Sequence, residues 1–286
     1  MKWNSIKVHE IISMVDEFPT LPTIYNTLMD LMSNPRSTAK DLSDLISQDQ
    51  AAASKVLKAA NSPIYGFYGR ISTITQAIVF LGFDEIKNLI TALTIIDLFD
   101  KSISTNRFNP VDFWKHSISV GIISRLIGKT IKVKDIENYF LGGILHDLGK
   151  LLFLKIIPDE YSKVTEYSIE NKIQIREAEL KLLGVTHTVV GEILAERWRL
   201  PKNIRECIRY HTSGFVNESF NNLVGSVHIG NIVSSALGLG YGWEHIVPKP
   251  NIEVWKNLNL PDNFFASNIQ NIEFDYTESI QLLLKQ

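Results

Sequence analysis

Apolar residues recur along this chain at spacings of three and four and almost nowhere alternate with a period of two, so the pattern predicts helices from end to end. Leu21-Pro22 opens one helix and Asn34-Pro35 closes it. Thr38 with Asp41 has capping-box spacing. Asp49 reads as the next N-cap, heading an alanine-rich helix that stops at Asn61-Ser62-Pro63. Two further helices, about 73–81 and 84–99, are divided by Gly82, and the polar stretch 100–109 reads as a linker. Asn109-Pro110 is a strong helix start, a side-chain acceptor followed by a residue that has no N–H to satisfy. Later stops are expected at Gly128, Pro158, Gly184, Pro201 and Gly214. After Gly238 the texture changes to Gly, Pro, Asn and aromatic residues, with a last short helix near 277–284. The expected architecture is all-α: an N-terminal helical lobe over 10–105, a second helical lobe over 106–247, and an extension over 248–286 packed on the body.

The polar residues on these stripes carry the chemistry. Phe113, His116, Val120, Ile123 and Ile127 share one face, which puts an imidazole in the middle of an apolar stripe. Tyr139, Gly143 and His146 share another, with Asp147 next to it. His187 aligns with Val190, Leu194 and Trp198, and His211 with Ile204, Cys207 and Ile208. His9 and His245 lie on no such stripe. A single histidine on an apolar face is ordinarily a satisfied core residue. Four on separate helices, one beside a carboxylate, are expected to meet at one centre and to satisfy each other through a metal ion, water or an anion.

The run Gly143-Ile144-Leu145-His146-Asp147-Leu148-Gly149-Lys150 resembles the signature of the HD superfamily of metal-dependent phosphohydrolases, with His116 where that family has its first ligand. Glu179, Leu182 to His187, Gly191, Trp198 to Pro201 and Tyr210-His211 are closer to one branch, the HDOD domain, the HD-related output domain of bacterial signalling proteins. Leu21-Pro22, Ala60 to Pro63 and Ile74 to Gly82 resemble that branch's N-terminal helices, and the likeness covers roughly 15–240. It implies an HD-domain-like helical fold with an N-terminal lobe. It places His116, His146, Asp147, His187 and His211 at metal-ligand positions, Asn231 as a further position, and Asp147 and Lys150 as the catalytic groups if the site is active. Lys150 would meet a phosphate oxygen; its plain alternative is a solvated lysine past a helix end.

Two departures weigh against turnover. The catalytic HD-GYP relatives have adjacent histidines where this chain has His211-Thr212, and a later Asp where this chain has Asn231. With Asp147 as the clear carboxylate, two dications would be under-compensated, so one divalent ion (Fe, Mn, Zn or Mg) is favoured over two. The expected function is therefore a signalling or regulatory module that retains a partial metal or anion pocket, its partner another signalling protein or a nucleotide. The alternative is a metal-dependent phosphohydrolase acting on a nucleotide or cyclic dinucleotide. His228, one step off the Asn231 face, reads as a surface residue or a support for the ligands.

Composition removes other classes. The formal net charge of −2 provides no global attraction to nucleic acid or anionic membrane. A faint helix-turn-helix pattern over 73–90 carries Asp84 and Glu85 against Lys87 at its second helix, so duplex binding is not expected. No stretch reaches the ~20 apolar residues of a membrane helix. The N-terminus lacks the apolar core of a secretory signal. The lone Cys207 excludes an intramolecular disulfide and is expected to be buried and inert, which fits a cytoplasmic location.

Overall fold

The computed structural model describes residues 7–66, 69–100 and 108–284. Helices carry the fold. The order is α1 (Val8–Glu17), α2 (Thr23–Ser33), α3 (Ala39–Ser47), α4 (Gln50–Ala60), a 3-10 turn (Pro63–Tyr65), α5 (Ile74–Leu81), α6 (Phe83–Asp100), α7 (Pro110–Thr130), α8 (Glu137–Leu145), α9 (Leu148–Ile156), α10 (Pro158–Asn171), α11 (Ile175–Leu183), α12 (His187–Arg197), α13 (Lys202–Tyr210), α14 (Asn222–Leu237), α15 (Ile252–Leu258) and α16 (Phe264–Leu283). Among the described residues the sheet is a two-strand hairpin, β1 (Phe215–Val216) with β2 (Ser219–Phe220).

The caps explain the early boundaries. Thr38 and Asp41 close a reciprocal capping box at the head of α3, and the Asp49 carboxylate accepts from Ala51 N and Ala52 N at the head of α4. Asn109 accepts from Val111 N, with Pro110 at the first helical position of α7. Most of the expected linker, 101–107, lies outside the described residues.

Two boundaries depart from expectation. Gly128 does not stop α7, which runs on to Thr130. Its missing side chain makes room instead: a Cβ there would stand 2.8 Å from both Ile136 Cδ1 and Tyr139 Cδ1. The final helix is also not short. It has 20 residues and begins at Phe264. Its buried positions are sparse (Phe264, Ile272, Ser279, Ile280) because part of its contact is polar: Ser279 Oγ shares a 2.7 Å hydrogen bond with Ser62 Oγ.

α7 is the axis, packed between α8 and α14 and touched by α16. One apolar cluster runs from Ile11 through the first helices into α7–α13. The N-terminal helices are fastened to the rest by aromatic and polar contacts. Phe18 stacks on Phe99 at 5.5 Å and meets Trp198 at 6.2 Å, and Trp198 Nε1 donates to Pro19 O at 3.1 Å. A buried ion pair, Arg125 Nη1 to Glu85 Oε2 at 2.8 Å, joins α7 to the first turn of α6. The head of that second helix is therefore turned into the protein. No described helix is long and apolar enough to cross a membrane.

Candidate functional site

Close helix crossings bring the site together. α8 meets α7 at Gly143 and Gly121, where a Cβ on Gly143 would stand 2.4 Å from Gly121 Cα. α9 meets α12 at Gly149, where a Cβ would collide with His187 O at 1.8 Å. Only glycine permits backbones this near. The two glycines flank the His146-Asp147 pair, so the same residues that close the helices up carry the pair to His116 on one side and His187 on the other.

Asp147 sits at the N-cap of α9 yet makes no cap hydrogen bond. Its carboxylate turns inward instead. Oδ1 lies 3.4 Å from His187 Nε2 and 3.4 Å from His211 Nε2. Oδ2 lies 3.3 Å from His146 Nε2 and 2.8 Å from Lys150 Nζ. Ring centroids step from His116 to His146 (5.5 Å), to His211 (4.9 Å), to His187 (5.6 Å). The residues named from the sequence thus share one centre, and none of His116, His146, Asp147, Lys150, His187 or His211 is more than 2% exposed.

The outer nitrogens reveal the protonation pattern. His146 Nδ1 faces Gly143 O at 2.7 Å and His211 Nδ1 faces Ile208 O at 3.1 Å. A carbonyl only accepts, so both Nδ1 atoms carry a proton and both rings turn Nε2 toward Asp147. His187 Nδ1 is 2.7 Å from Glu179 Oε2, and that carboxylate also accepts from His187 N (2.9 Å) and Tyr161 OH (2.8 Å). Nδ1 is again the donor. His146 Nε2, His187 Nε2 and Asp147 Oδ1 have no hydrogen-bond partner, although all are buried, while Asp147 Oδ2 is ion-paired with Lys150. A buried carboxylate needs positive charge beside it, carried by a protonated imidazole, by Lys150 or by a bound cation.

The donor set fits a metal ion. Ligand atoms of His116, His146 and Asp147 lie within 4.8 Å of one another, and so do those of Asp147, His187 and His211. Imidazole nitrogen with carboxylate oxygen suits a borderline divalent cation, and Nδ1 hydrogen bonds that fix each ring are the usual support for such ligands.

The two groups are not equivalent. His116 has both nitrogens engaged, Nε2 with Asn231 Oδ1 and Nδ1 with Ser234 Oγ, each at 3.0 Å. Asn231 therefore addresses His116. Lys150 is neither a solvated lysine nor a group turned toward solvent. It is 1% exposed, lies against Asp147, donates to Gly242 O at 2.8 Å, and has Glu244 Oε1 at 3.6 Å.

Burial alone would lower the Lys150 ammonium, but Asp147 and Glu244 hold it above the ordinary lysine value. Burial would likewise raise Asp147, and His146 and Lys150 beside it keep it well below the usual carboxylate range. Burial pushes Glu244 up against the pull of Lys150. His116 and His211 are pushed down to about 3, chiefly by burial.

Two participants, Glu179 and Glu244, were not assigned to the centre from the sequence, and His228 takes the second of its two expected places, as a support for the ligands. Glu179 was legible by the same stripe test, since it follows Ile175 by four and precedes Leu183 by four. Glu244 was not, because it lies in an irregular segment whose path no periodicity gives. His228 is not at the surface: it is 3% exposed, with Nδ1 on His211 O (2.8 Å) and Nε2 accepting from Asn251 N (3.1 Å). It braces the turn that carries His211. Cys207 is buried and its thiol is pushed up by burial, as expected of an inert residue.

A family model described as the HDOD domain matches residues 18–213. The structure of an HDOD domain protein of unknown function from Geobacter sulfurreducens aligns with a TM-score of 0.79 at 28% identity, covering 97% of each chain. A candidate phosphohydrolase from Shewanella amazonensis gives 0.75 at 22% identity, covering 98% of this chain and 99% of that one, a likeness of fold. An uncharacterized protein of Treponema pallidum is 25% identical over 224 residues, which are 78% of this chain and 43% of that protein. The chain thus spans less than half the length of the curated relatives it matches.

Proposed function

Because the chain belongs to the HDOD domain family, we propose that it is a signalling or regulatory module whose HD-type pocket holds one cation and does not turn over a phosphodiester. One observation carries the reading: the second cation's place beside Asp147 is already taken. The Lys150 ammonium stands 2.8 Å from Oδ2, and Asn231 occupies His116. Oδ1 has no such cation: the Nε2 atoms of His187 and His211 face it at 3.4 Å, and His146 Nε2, which has no hydrogen bond, adjoins from the Oδ2 side. Asp147, His187 and His211 would hold the ion there, with His146 adjacent and Glu179 fixing the His187 ring. A divalent ion in that seat supplies positive charge and a Lewis acid. Here its first effect is to compensate charge. An imidazole binds a cation in its neutral form, so with the ion in place Lys150 would offset one of three carboxylates (Asp147, Glu179, Glu244) and a single dication the other two.

The partner in this reading is another signalling protein or a nucleotide, and the location cytoplasmic. Elemental analysis of untagged protein should return close to one transition-metal ion per chain. A panel of phosphodiesters and phosphomonoesters with added Mn, Fe, Mg or Zn should show no hydrolysis. Turnover of a cyclic dinucleotide, lost in Asp147→Asn, would instead establish a phosphohydrolase. The approach of three histidines to one carboxylate, with the His116 ring next to His146, is the observation that supports that second reading.

A further inference from the structure

Residues 239–245 cross the histidine centre from α7 to α11. Gly238 ends α14 at φ 66° and Gly240 follows at φ 77°. The Gly240 backbone lies against the start of α7, where a Cβ would stand 2.2 Å from His116 N and 2.7 Å from Asp112 O. Tyr241 N donates to Asp112 O at 2.9 Å. Gly242 lies on the His116 ring, where a Cβ would come within 2.5 Å of Cδ2 and 2.8 Å of Nε2. Its carbonyl accepts a hydrogen bond from Lys150 Nζ. Trp243 has φ 62°, a backbone state disfavoured for a bulky side chain. It is held there by its indole, which packs 4.1 Å from Phe108, 5.7 Å from Phe113 and 6.3 Å from Tyr161. Glu244 then accepts from Ile175 N at the head of α11 (3.4 Å) and faces Lys150.

Gly240 and Gly242 fit where only glycine fits, Trp243 supplies a plug, and Glu244 supplies a charge that faces Lys150. We propose that residues 239–245 are an intramolecular strap that fills the mouth of the pocket, so that solvent-borne molecules reach His116, His146 and Lys150 only after the strap swings out. Gly238 and Gly240 form one pivot. The other is the segment after Glu244, where His245, Ile246 and Val247 are exposed and lie in no helix or strand. Trp243 is the anchor, and the Lys150–Glu244 contact is the latch. The strap closes the pocket whether or not a metal ion sits inside it.

The full chain, treated with chelator, can be acylated with diethylpyrocarbonate and each histidine followed by mass spectrometry. His9 should react freely, and His146 should react at least tenfold more slowly in the native protein. Trp243→Ala and Glu244→Gln should speed His146 acylation several-fold or more. His228, buried beneath Asn251 and away from the strap, should stay protected and so report that the body remains folded. Native hydrogen exchange offers a check that needs no variant: the Tyr241 amide should exchange at least tenfold faster than the amides of mid-α7. Native His146 reacting as fast as His9 would overturn the strap. So would unchanged His146 rates in both variants, or Tyr241 exchange no faster than α7.

Discussion

The two oxygens of Asp147 face two differently finished halves of one pocket. On the Oδ2 side, Lys150 supplies a buried positive charge, and His116 is closed off by Asn231 and Ser234. On the Oδ1 side, His187 and His211 approach with fixed outer nitrogens and turn Nε2 toward one oxygen that has no cation beside it. Both halves use histidine on an inward helix face, so residue type does not separate them. The difference lies in what each imidazole finds opposite it. A satisfied network is a structural element, and an unsatisfied one in a dry site is a place for a ligand.

Removing the shared carboxylate should have the largest effect. Asp147→Ala leaves the Lys150 ammonium buried with a weaker partner and the histidines without a centre, and should lower stability by about 3–5 kcal/mol in urea unfolding. A loss below about 1 kcal/mol would mean that the pocket is already wet. The asymmetry itself is tested by metal titration. Glu179→Gln loosens the His187 ring and should weaken Mn or Zn binding about 10–100-fold. Asn231→Ala, on the finished side, should change it by less than about tenfold. Equal losses would erase the distinction between the halves.

Acid acts on both halves together. His116 and His211 have folded values near 3, whereas unfolded histidine titrates at about 6.5. Between those values only the unfolded chain takes up the proton. Their contribution is therefore complete above about pH 6.5 and is lost as pH falls toward 3, at up to about 1.4 kcal/mol per pH unit for each ring. Urea midpoints at pH 7, 5.5 and 4.5 should fall in that order, and a flat series would contradict burial as the cause. Ser234→Ala should have the smallest effect, about 1–2 kcal/mol, since it removes only neutral hydrogen bonds, those to His116 Nδ1, Ser119 Oγ and Leu239 O. Its signature is a drop in stability with metal affinity unchanged.

The ease of reading varied with the range of the interaction. Caps were legible because Thr38, Asp49 and Asn109 act on backbone within three residues of themselves. The inward aim of His116, His146, His187 and His211 was legible because a helical face is a local property. Gly128 was misread as a stop because a glycine that ends a helix and one that admits a neighbouring helix look alike until the neighbour, here Tyr139, is in place. The burial of Lys150 was not legible for a related reason: its solvated alternative fails because the partners that bury it, Gly242 and Glu244, come about ninety residues later.

Read in one dimension, the chain already dictates its helices, their inward faces and the set of imidazoles that those faces carry, because each follows from spacing within a few residues. Tertiary structure alone decides which of those imidazoles is satisfied. Asn231 meets His116 across 115 residues, Glu244 meets Lys150 through an irregular crossing, and glycine contacts set the helix separations that let Asp147 reach three rings at once. The physical reason is that a buried polar group is governed by its opposite number, and here most of the opposite numbers belong to other elements of the fold.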